Sequence, residues 1–169
     1  MAAPAFINFA YGSNMATLRL RARTPSAQPL GIARLPGHRL MWHKAGADGS
    51  AKCDILATGS ADDDVWGVLF EIALHERPLL DRAEGLGRGY DHKAVTVHAA
   101  HGSVDAGAYH ATHVDAGLRP FDWYLAYVVH GAREHGLPDS YRAELAAVAA
   151  IIDPDGERRR LNLALLLGA

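Results

Sequence analysis

A turn near the start of the chain combines residue types that can hold a negatively charged group. It consists of Phe9, Ala10, Tyr11, Gly12, Ser13 and Asn14. An apolar run that predicts a strand precedes it, and a stretch that predicts a helix follows. Gly12 permits a tight backbone path, and Ser13 and Asn14 are favourable caps for a helix start, where backbone N–H groups attract negative charge. Such a turn can hold a carboxylate or an oxyanion forming on a carbonyl, although the same residues also suit a purely structural corner.

The second candidate for chemistry is the carboxylate of Glu84. It lies in the last turn of a predicted helix that begins at about Arg77 and ends at Gly85, Gly87 and Gly89. A glutamate in a pocket can accept a proton and return it, which is the role of a general acid and base. The residue type alone leaves open that Glu84 is an ordinary surface glutamate.

Four short blocks, in order along the chain, resemble the γ-glutamylcyclotransferase family. The blocks are Phe9-Ala10-Tyr11-Gly12-Ser13-Asn14, Val65-Trp66-Gly67-Val68, Leu80-Asp81-Arg82-Ala83-Glu84-Gly85 and Gly131-Ala132-Arg133-Glu134-His135-Gly136-Leu137-Pro138. The strand and helix patterns by themselves predict only an α+β protein. The resemblance, which covers residues 6–144, further implies a small mixed β-barrel with flanking helices. It also implies that Glu84 is the catalytic residue, and that the substrate contacts the turn and Tyr124.

The reaction implied by the resemblance is a ring closure. The α-amino group of a γ-glutamyl unit attacks its own γ-carbonyl, so that 5-oxoproline forms and an amino acid or amine leaves. Because the nucleophile belongs to the substrate, the enzyme requires correct folding of that substrate, a proton shuttle and donors for the carbonyl oxygen, and no cofactor. The alternatives are the same reaction on another γ-glutamyl carrier (an isopeptide, an antibiotic precursor or glutathione) and a non-catalytic small-molecule binding module.

Two other tyrosines, Tyr127 and Tyr90, are further candidates for the site. Alignment of the fourth block brings Tyr124 onto the family's substrate-contacting tyrosine, but a different register would select Tyr127. Without the resemblance, Tyr124 is simply an aromatic residue at helical spacing. Tyr90, after the glycines that follow Glu84, is either a pocket wall or only the first residue of a strand.

Composition narrows the function classes. The chain has 169 residues, of which 49% are hydrophobic and 21% charged, and a formal net charge of −2, so we expect one globular domain without an electrostatic footprint for nucleic acid or membrane. We expect a core at residues 6–152 and a C-terminal tail at 153–169, in which Arg158, Arg159 and Arg160 are solvated. The resemblance implies that the partner is a small γ-glutamyl substrate, and we expect a monomer or homodimer.

Other functions lack support in the sequence. Cys53 is the only cysteine, which excludes an internal disulfide, and the ten histidines do not show a known metal-ligand spacing. We therefore expect no metal. The N-terminus does not resemble a secretion signal, and no apolar stretch reaches the roughly 18 residues of a membrane span, which indicates a cytoplasmic protein.

Hydrophobic periodicity predicts the elements. The predicted strands are residues 6–10, 31–35, 39–43, 52–58, 65–72, 90–99 and 104–112. We expect 31–35 to pair with 39–43 through a Pro-Gly turn, and 90–99 to pair with 104–112 around His101-Gly102. Residues 45–51 are predicted to be a hairpin loop or a mobile flap. The predicted helices are residues 15–23, a segment from residue 77, 121–135 and 141–152. In the first helix Met15, Leu18 and Ala22 should face inward and Arg19, Arg21 and Arg23 outward. In the second, Leu79, Leu80 and Ala83 should be buried.

Overall fold

The computed structural model describes residues 3–168, which form a closed five-stranded barrel with helices around it. The strands are β1 (Ala5–Ala10), β2 (Gln28–Pro36), β3 (His38–Ala45), β4 (Ala51–Ala57), β5 (Asp64–Ala73), β6 (Tyr90–Ala99) and β7 (Gly102–Ala111). The α-helices are α1 (Thr17–Arg23), α2 (Arg77–Glu84), α3 (Asp122–Glu134), α4 (Asp139–Ala146) and α5 (Gly156–Leu167). The predicted α+β barrel is therefore confirmed. No helix within residues 3–168 is long and apolar enough to cross a membrane.

The barrel follows the strand order β1-β5-β2-β6-β7 and closes where β1 meets β7 in parallel at Asn8 and Gly107. Its other pairings are antiparallel. Gly67 is required by the contact between β5 and β1, because a Cβ atom there would lie 2.4 Å from the carbonyl oxygen of Ala10 and 2.7 Å from the ring of Phe9. The glycine of the second sequence block thus permits the barrel wall to approach the strand that leads into the turn.

The predicted pairing of residues 31–35 with 39–43 is wrong. Strand β2 pairs with β5 along one edge and with β6 along the other, so neither edge of β2 is free to pair with β3. The chain reverses at Gly37, and β3 instead forms a separate antiparallel hairpin with β4. The hairpin loop predicted at residues 45–51 connects these two strands.

Helix α2 is held at the end of the barrel by few side chains. Leu80 is fully buried, whereas Leu79 is 44% exposed and Ala83 is also exposed, so the predicted apolar stripe of three residues is wrong. A polar contact supplements the packing of Leu80, because the Tyr109 hydroxyl donates to the Asp81 carboxylate at 2.6 Å. Gly85 follows with φ of +71°, the left-handed conformation that ends a helix, and so fixes Glu84 as its last residue.

The predicted C-terminal segments differ most from the structure. Helix α4 ends at Ala146 rather than at residue 152, and Ile152 is 71% exposed rather than inward. The arginines expected in a solvated tail lie in α5, which begins where the Asp155 side chain accepts the N–H of Arg158 at 3.0 Å. Asp153, which is 2% exposed, connects α3 to α5 because its carboxylate accepts hydrogen bonds from Trp123 and Arg158.

Candidate active site

A small cavity of about 40 Å³ lies at one end of the barrel, beneath α2 and α3. Its walls contain every residue predicted for the site together with four others. The lining residues are Asn8, Phe9, Ala10, Tyr11, Gly12, Ser13, Asn14, Cys53, Glu84, Tyr90, Tyr109 and Tyr124. Segments that are distant in the sequence thus meet here, among them the first and third of the four blocks, and Glu84 is the one carboxylate among the lining residues.

The Glu84 carboxylate is held by two donors on one oxygen. The side-chain amide of Asn14 donates to Oε1, and Nη1 of Arg23 lies 3.0 Å from the same atom. Arg23 also donates to Oδ1 of Asn14 at 2.8 Å, which closes a ring of three side chains. Within residues 3–168 no protein donor contacts the second oxygen, Oε2, and the Glu84 side chain is 14% exposed. One oxygen is therefore anchored while the other is open to a ligand.

The inward position of Arg23 corrects a sequence prediction. Residues 13–15 form a 3₁₀ turn, and the α-helix starts only at Thr17, so the predicted helical phase from residue 15 does not apply. Arg19 and Arg23, four residues apart on one face, point towards the site, whereas Ala22 is exposed. Their spacing was the signal available in the sequence, but the apolar pattern assigned them to the wrong face.

The first backbone N–H groups of the turn that contains Gly12 have no acceptor inside the turn. Met15 N donates to the Gly12 carbonyl at 3.0 Å and Ala16 N to Ser13 at 3.2 Å. The N–H groups of Gly12, Ser13 and Asn14 come before Met15 in the chain, so no carbonyl of the turn accepts them.

Gly12 follows the expected tight path, because its carbonyl accepts the N–H of Met15, but its φ of −113° lies outside the left-handed region that favours glycine. What it provides is space: a Cβ atom there would lie 3.1 Å from Cβ of Cys53 and 3.2 Å from the Tyr124 hydroxyl.

The fourth sequence block contacts this turn and the start of α1 on the side away from the cavity lining. The Glu134 carboxylate accepts the N–H of Thr17 at 3.0 Å and caps α1 from a distant part of the chain. His135 Nε2 lies 3.0 Å from the Thr17 hydroxyl and 3.0 Å from the Met15 carbonyl. Gly131 lets α3 approach, because its Cβ would lie 2.5 Å from Ala16 N. The block therefore fixes the turn without touching the cavity.

The tyrosines of the cavity have different hydrogen-bonding states. The Tyr124 hydroxyl accepts the N–H of Cys53 at 3.0 Å, which leaves its own hydrogen available for a ligand. The Tyr90 hydroxyl donates to the Cys53 carbonyl at 2.5 Å, so its donor is used; Tyr90 is both the first residue of β6 and a cavity wall. Tyr127 lies outside the cavity lining and donates to the carbonyl of Asn162 at 2.9 Å.

Burial keeps the tyrosines and the cysteine of the cavity neutral. It raises the pKa of Tyr11, Tyr90 and Tyr124 well above the ordinary tyrosine value. It likewise raises the pKa of the Cys53 thiol to about 12, which leaves that sulfur protonated and weakly nucleophilic at neutral pH. Glu84 is consequently the lining residue suited to proton transfer.

The sequence reasoning missed three lining residues: Asn8, Cys53 and Tyr109. Asn8 is the most informative of them, because it is 2% exposed and its Oδ1 finds no partner within the described part of the chain. A polar residue inside an apolar strand was the available signal. As for metals, residues 3–168 contain no group of three histidine, cysteine or carboxylate side chains placed to hold an ion.

The cavity opens into a wider cleft of about 800 Å³. Ser13, Glu84, Tyr90 and Tyr124 line both spaces and form the neck between them. Helix α1, the β3–β4 hairpin and the end of α2 provide the other cleft walls. A molecule bound across the neck would place its middle atoms beside Glu84.

This fold and site define a small barrel enzyme that combines one carboxylate with a turn rich in N–H groups. The model of the AIG2-like family matches residues 64–145. The γ-glutamylcyclotransferases of Bos taurus and Homo sapiens are each 32% identical to this chain over 148 residues, covering 85% of it and 78% of the relative. A solved structure named γ-glutamyl cyclotransferase superimposes with a TM-score of 0.83 at 27% identity, covering 95% of this chain and 99% of that one. The chain belongs to the γ-glutamylcyclotransferase family of enzymes.

Proposed function

We propose that this protein converts a γ-glutamyl amino acid or γ-glutamyl amine to 5-oxoproline and the free amino acid or amine. The position of Glu84 at the neck is the observation that carries the proposal. The γ-glutamyl unit occupies the cavity, the leaving group extends into the cleft, and the bond between them lies beside the free Oε2 atom. A single carboxylate at that boundary can reach both nitrogens that exchange protons.

The first step is deprotonation of the substrate's α-ammonium group by Glu84. The resulting amine attacks the γ-carbonyl carbon, a C–N bond forms and the carbonyl oxygen becomes negative. N–H groups of the turn at residues 12–14 stabilise that oxygen. Glu84 then returns its proton to the leaving nitrogen, and the original C–N bond breaks as the carbonyl re-forms. The ring nitrogen still carries one hydrogen too many, and Glu84 transfers this second proton to the released amine, so that 5-oxoproline, with a neutral ring nitrogen, and an ammonium group leave. The proton count balances without an external acid or base.

Tyr124 and Arg23 support this chemistry in different ways. The free hydrogen of the Tyr124 hydroxyl makes it the donor for the substrate's α-carboxylate. Arg23 and Asn14 hold Oε1, so that Oε2 is directed to the substrate. Because ring closure requires a bent substrate, a fixed carboxylate and a fixed donor together favour the reactive conformation.

The experiment is a panel of γ-glutamyl compounds scored by release of 5-oxoproline. It contains γ-glutamyl amino acids, a γ-glutamyl alkylamine, a γ-glutamyl-ε-lysine isopeptide and glutathione, with the matching α-glutamyl peptides as controls. We expect release from γ-glutamyl compounds and none from the α-linked controls, which cannot form the five-membered ring by this route. A protein that binds 5-oxoproline but releases none from any compound is a binding module, and the proposal is then wrong.

A further inference from the structure

The cleft beside Glu84 is strongly cationic, although the whole chain carries a net charge of −2. Its charged lining residues come from α1, β3, β4 and α2 and from the loops that follow β3 and α2. The cations are Arg19, Arg23, Lys44, Lys52, Arg82 and Arg88, and the carboxylates are Asp48 and Glu84. Six positive groups therefore face two negative ones, so the charge of the cleft is opposite in sign to that of the chain.

The two carboxylates of the cleft already have partners. Lys52 lies 2.8 Å from Asp48, and Arg23 lies 3.0 Å from Glu84. Lys44, Arg19, Arg82 and Arg88 have no carboxylate within 4.0 Å among residues 3–168. The excess charge thus belongs to groups that the protein itself does not neutralise.

Lys44 is the most constrained of the unpartnered cations. The residue is 8% exposed, and its ammonium lies 4.8 Å from the centre of the Tyr90 ring, a residue of the neck. Its stem passes directly over Gly89, where a Cβ atom would lie 2.9 Å from Cε of the lysine. Burial lowers the pKa of Lys44 because the charged form loses water. A fixed, partly dehydrated ammonium beside the neck gains from an anionic ligand.

Arg19, on α1, adds a second cation next to Ser13 of the neck. Its guanidinium stacks 4.6 Å from the centre of the Tyr127 ring and donates through Nε to the Ser13 hydroxyl at 3.1 Å. Arg82 and Arg88 are exposed at the outer rim. The charges therefore extend from the neck to the rim, along the path that the leaving group would follow.

We propose that the cleft selects γ-glutamyl compounds whose leaving group carries two carboxylates, as in a γ-glutamyl amide of an acidic amino acid. This inference rests on the proposed function. One carboxylate of a simple amino acid leaves most of the cationic cleft unused, whereas a second one reaches Lys44 or the rim arginines. Opposite charges that become desolvated together give specificity as well as attraction.

The test compares γ-glutamyl-aspartate with γ-glutamyl-asparagine, which match in size and differ by one charge. We expect the aspartate compound to have a kcat/KM at least about tenfold higher at low ionic strength, with the ratio falling in about 0.5 M salt. Lys44→Met should reduce that ratio at least about fivefold, through KM, while the asparagine compound changes by less than about threefold. Lys93→Met, on β6 and outside the cleft lining, is the matched control and should keep the wild-type ratio.

Arg82→Gln gives a second variant whose folding is not at risk, since the side chain is exposed. It should lower the same ratio by about twofold, as expected for a more solvated charge. Equal kcat/KM for the two compounds in the wild type, or equal losses on both in Lys44→Met, would overturn the inference and leave the cyclotransferase reaction intact. Absence of 5-oxoproline from every γ-glutamyl compound would instead overturn the proposed function, and the inference with it.

Discussion

Arg23 and Glu84, from two different helices, meet at 3.0 Å through the same carboxylate oxygen that accepts the amide of Asn14. The contact joins α1, the turn and α2 at one point. A carboxylate at the end of a helix lies against partial negative charge, and Arg23 offsets it. The pair therefore fixes the orientation of Glu84 and leaves its Oε2 without a protein donor among residues 3–168.

Glu84→Gln should abolish most turnover without loss of the fold. Glutamine keeps the size and can still accept from Asn14 and Arg23, but it cannot carry the proton between the two nitrogens. We expect kcat to fall by at least about 10²-fold, the lower range for removal of a general acid and base. Release of 5-oxoproline from the best γ-glutamyl compound measures it, with binding of 5-oxoproline as the check on the site.

The matched control is Glu71→Gln, on the exposed face of β5. It makes the same chemical change away from the cavity and should retain wild-type kcat. Near-native turnover in Glu84→Gln would show that another group moves the proton and would contradict the mechanism.

Arg23→Met should lower kcat by about tenfold with a smaller change in KM, because it releases Oε1 of Glu84 and Oδ1 of Asn14 together. Arg23→Lys keeps a cation near the carboxylate and should recover part of the loss. Arg21→Met, on an exposed residue of the same helix, is the control. A purely structural role for Arg23 would instead appear as a lower melting temperature with unchanged kcat in the folded fraction.

The sequence was sufficient for features that depend on neighbouring residues. The turn at residues 11–14, the end of α2 at Glu84 and the hairpin between β6 and β7 follow from glycine positions and local periodicity. The meeting of the first and third blocks and Tyr124 at one cavity followed from the family resemblance. Every predicted site residue lines the cavity for that reason.

Features set by distant contacts could not be obtained in this way. The face of α1 that carries Arg19 and Arg23 depends on a 3₁₀ turn that shifts the helix start. The separation of β3 from β2 depends on β6, which occupies the edge of β2 and lies far along the chain. The cationic cleft collects residues from four elements and two loops that are distant in the sequence.

Turnover should not depend on a metal ion. The nucleophile is part of the substrate, and residues 3–168 contain no cluster suited to an ion. Activity should therefore be unchanged after exhaustive treatment with EDTA, and elemental analysis should detect no stoichiometric metal. A bound metal whose removal abolishes 5-oxoproline release would contradict this prediction.

Asp153 should stabilise the C-terminal region in a pH-dependent manner. Bonds from Arg158, with a further one from Trp123, hold the pKa of this carboxyl well below its ordinary value. A lowered pKa in the folded state adds stability above the unfolded pKa of about 3.9, and that stability is lost as the pH falls through the folded value. Asp153→Asn should cost about 1.5–3 kcal/mol at neutral pH, the range for bonds to a charged group.

Melting curves of wild type and Asp153→Asn across the acid range measure this effect. The difference in melting temperature should narrow as the pH falls below about 3.9. Asp62→Asn, in an exposed turn, is the control and should differ little from wild type at any pH. A difference that is the same at every pH would show that shape rather than charge explains the effect.

Gly12 should be the most sensitive position of the turn. A valine there would meet Cβ of Cys53 and the Tyr124 hydroxyl, since even its first carbon would lie 3.1 Å and 3.2 Å from them, and its methyl groups would enter the cavity. Gly12→Val should therefore abolish detectable binding of 5-oxoproline in a largely folded protein. Ser13→Ala, which keeps the backbone N–H groups and loses only the contact with Arg19, should have a milder effect. Isothermal titration calorimetry with circular dichroism on both variants measures the difference. Undiminished affinity in folded Gly12→Val would show that the turn is only a structural corner, because a ligand held by its backbone could not tolerate side-chain atoms at that point.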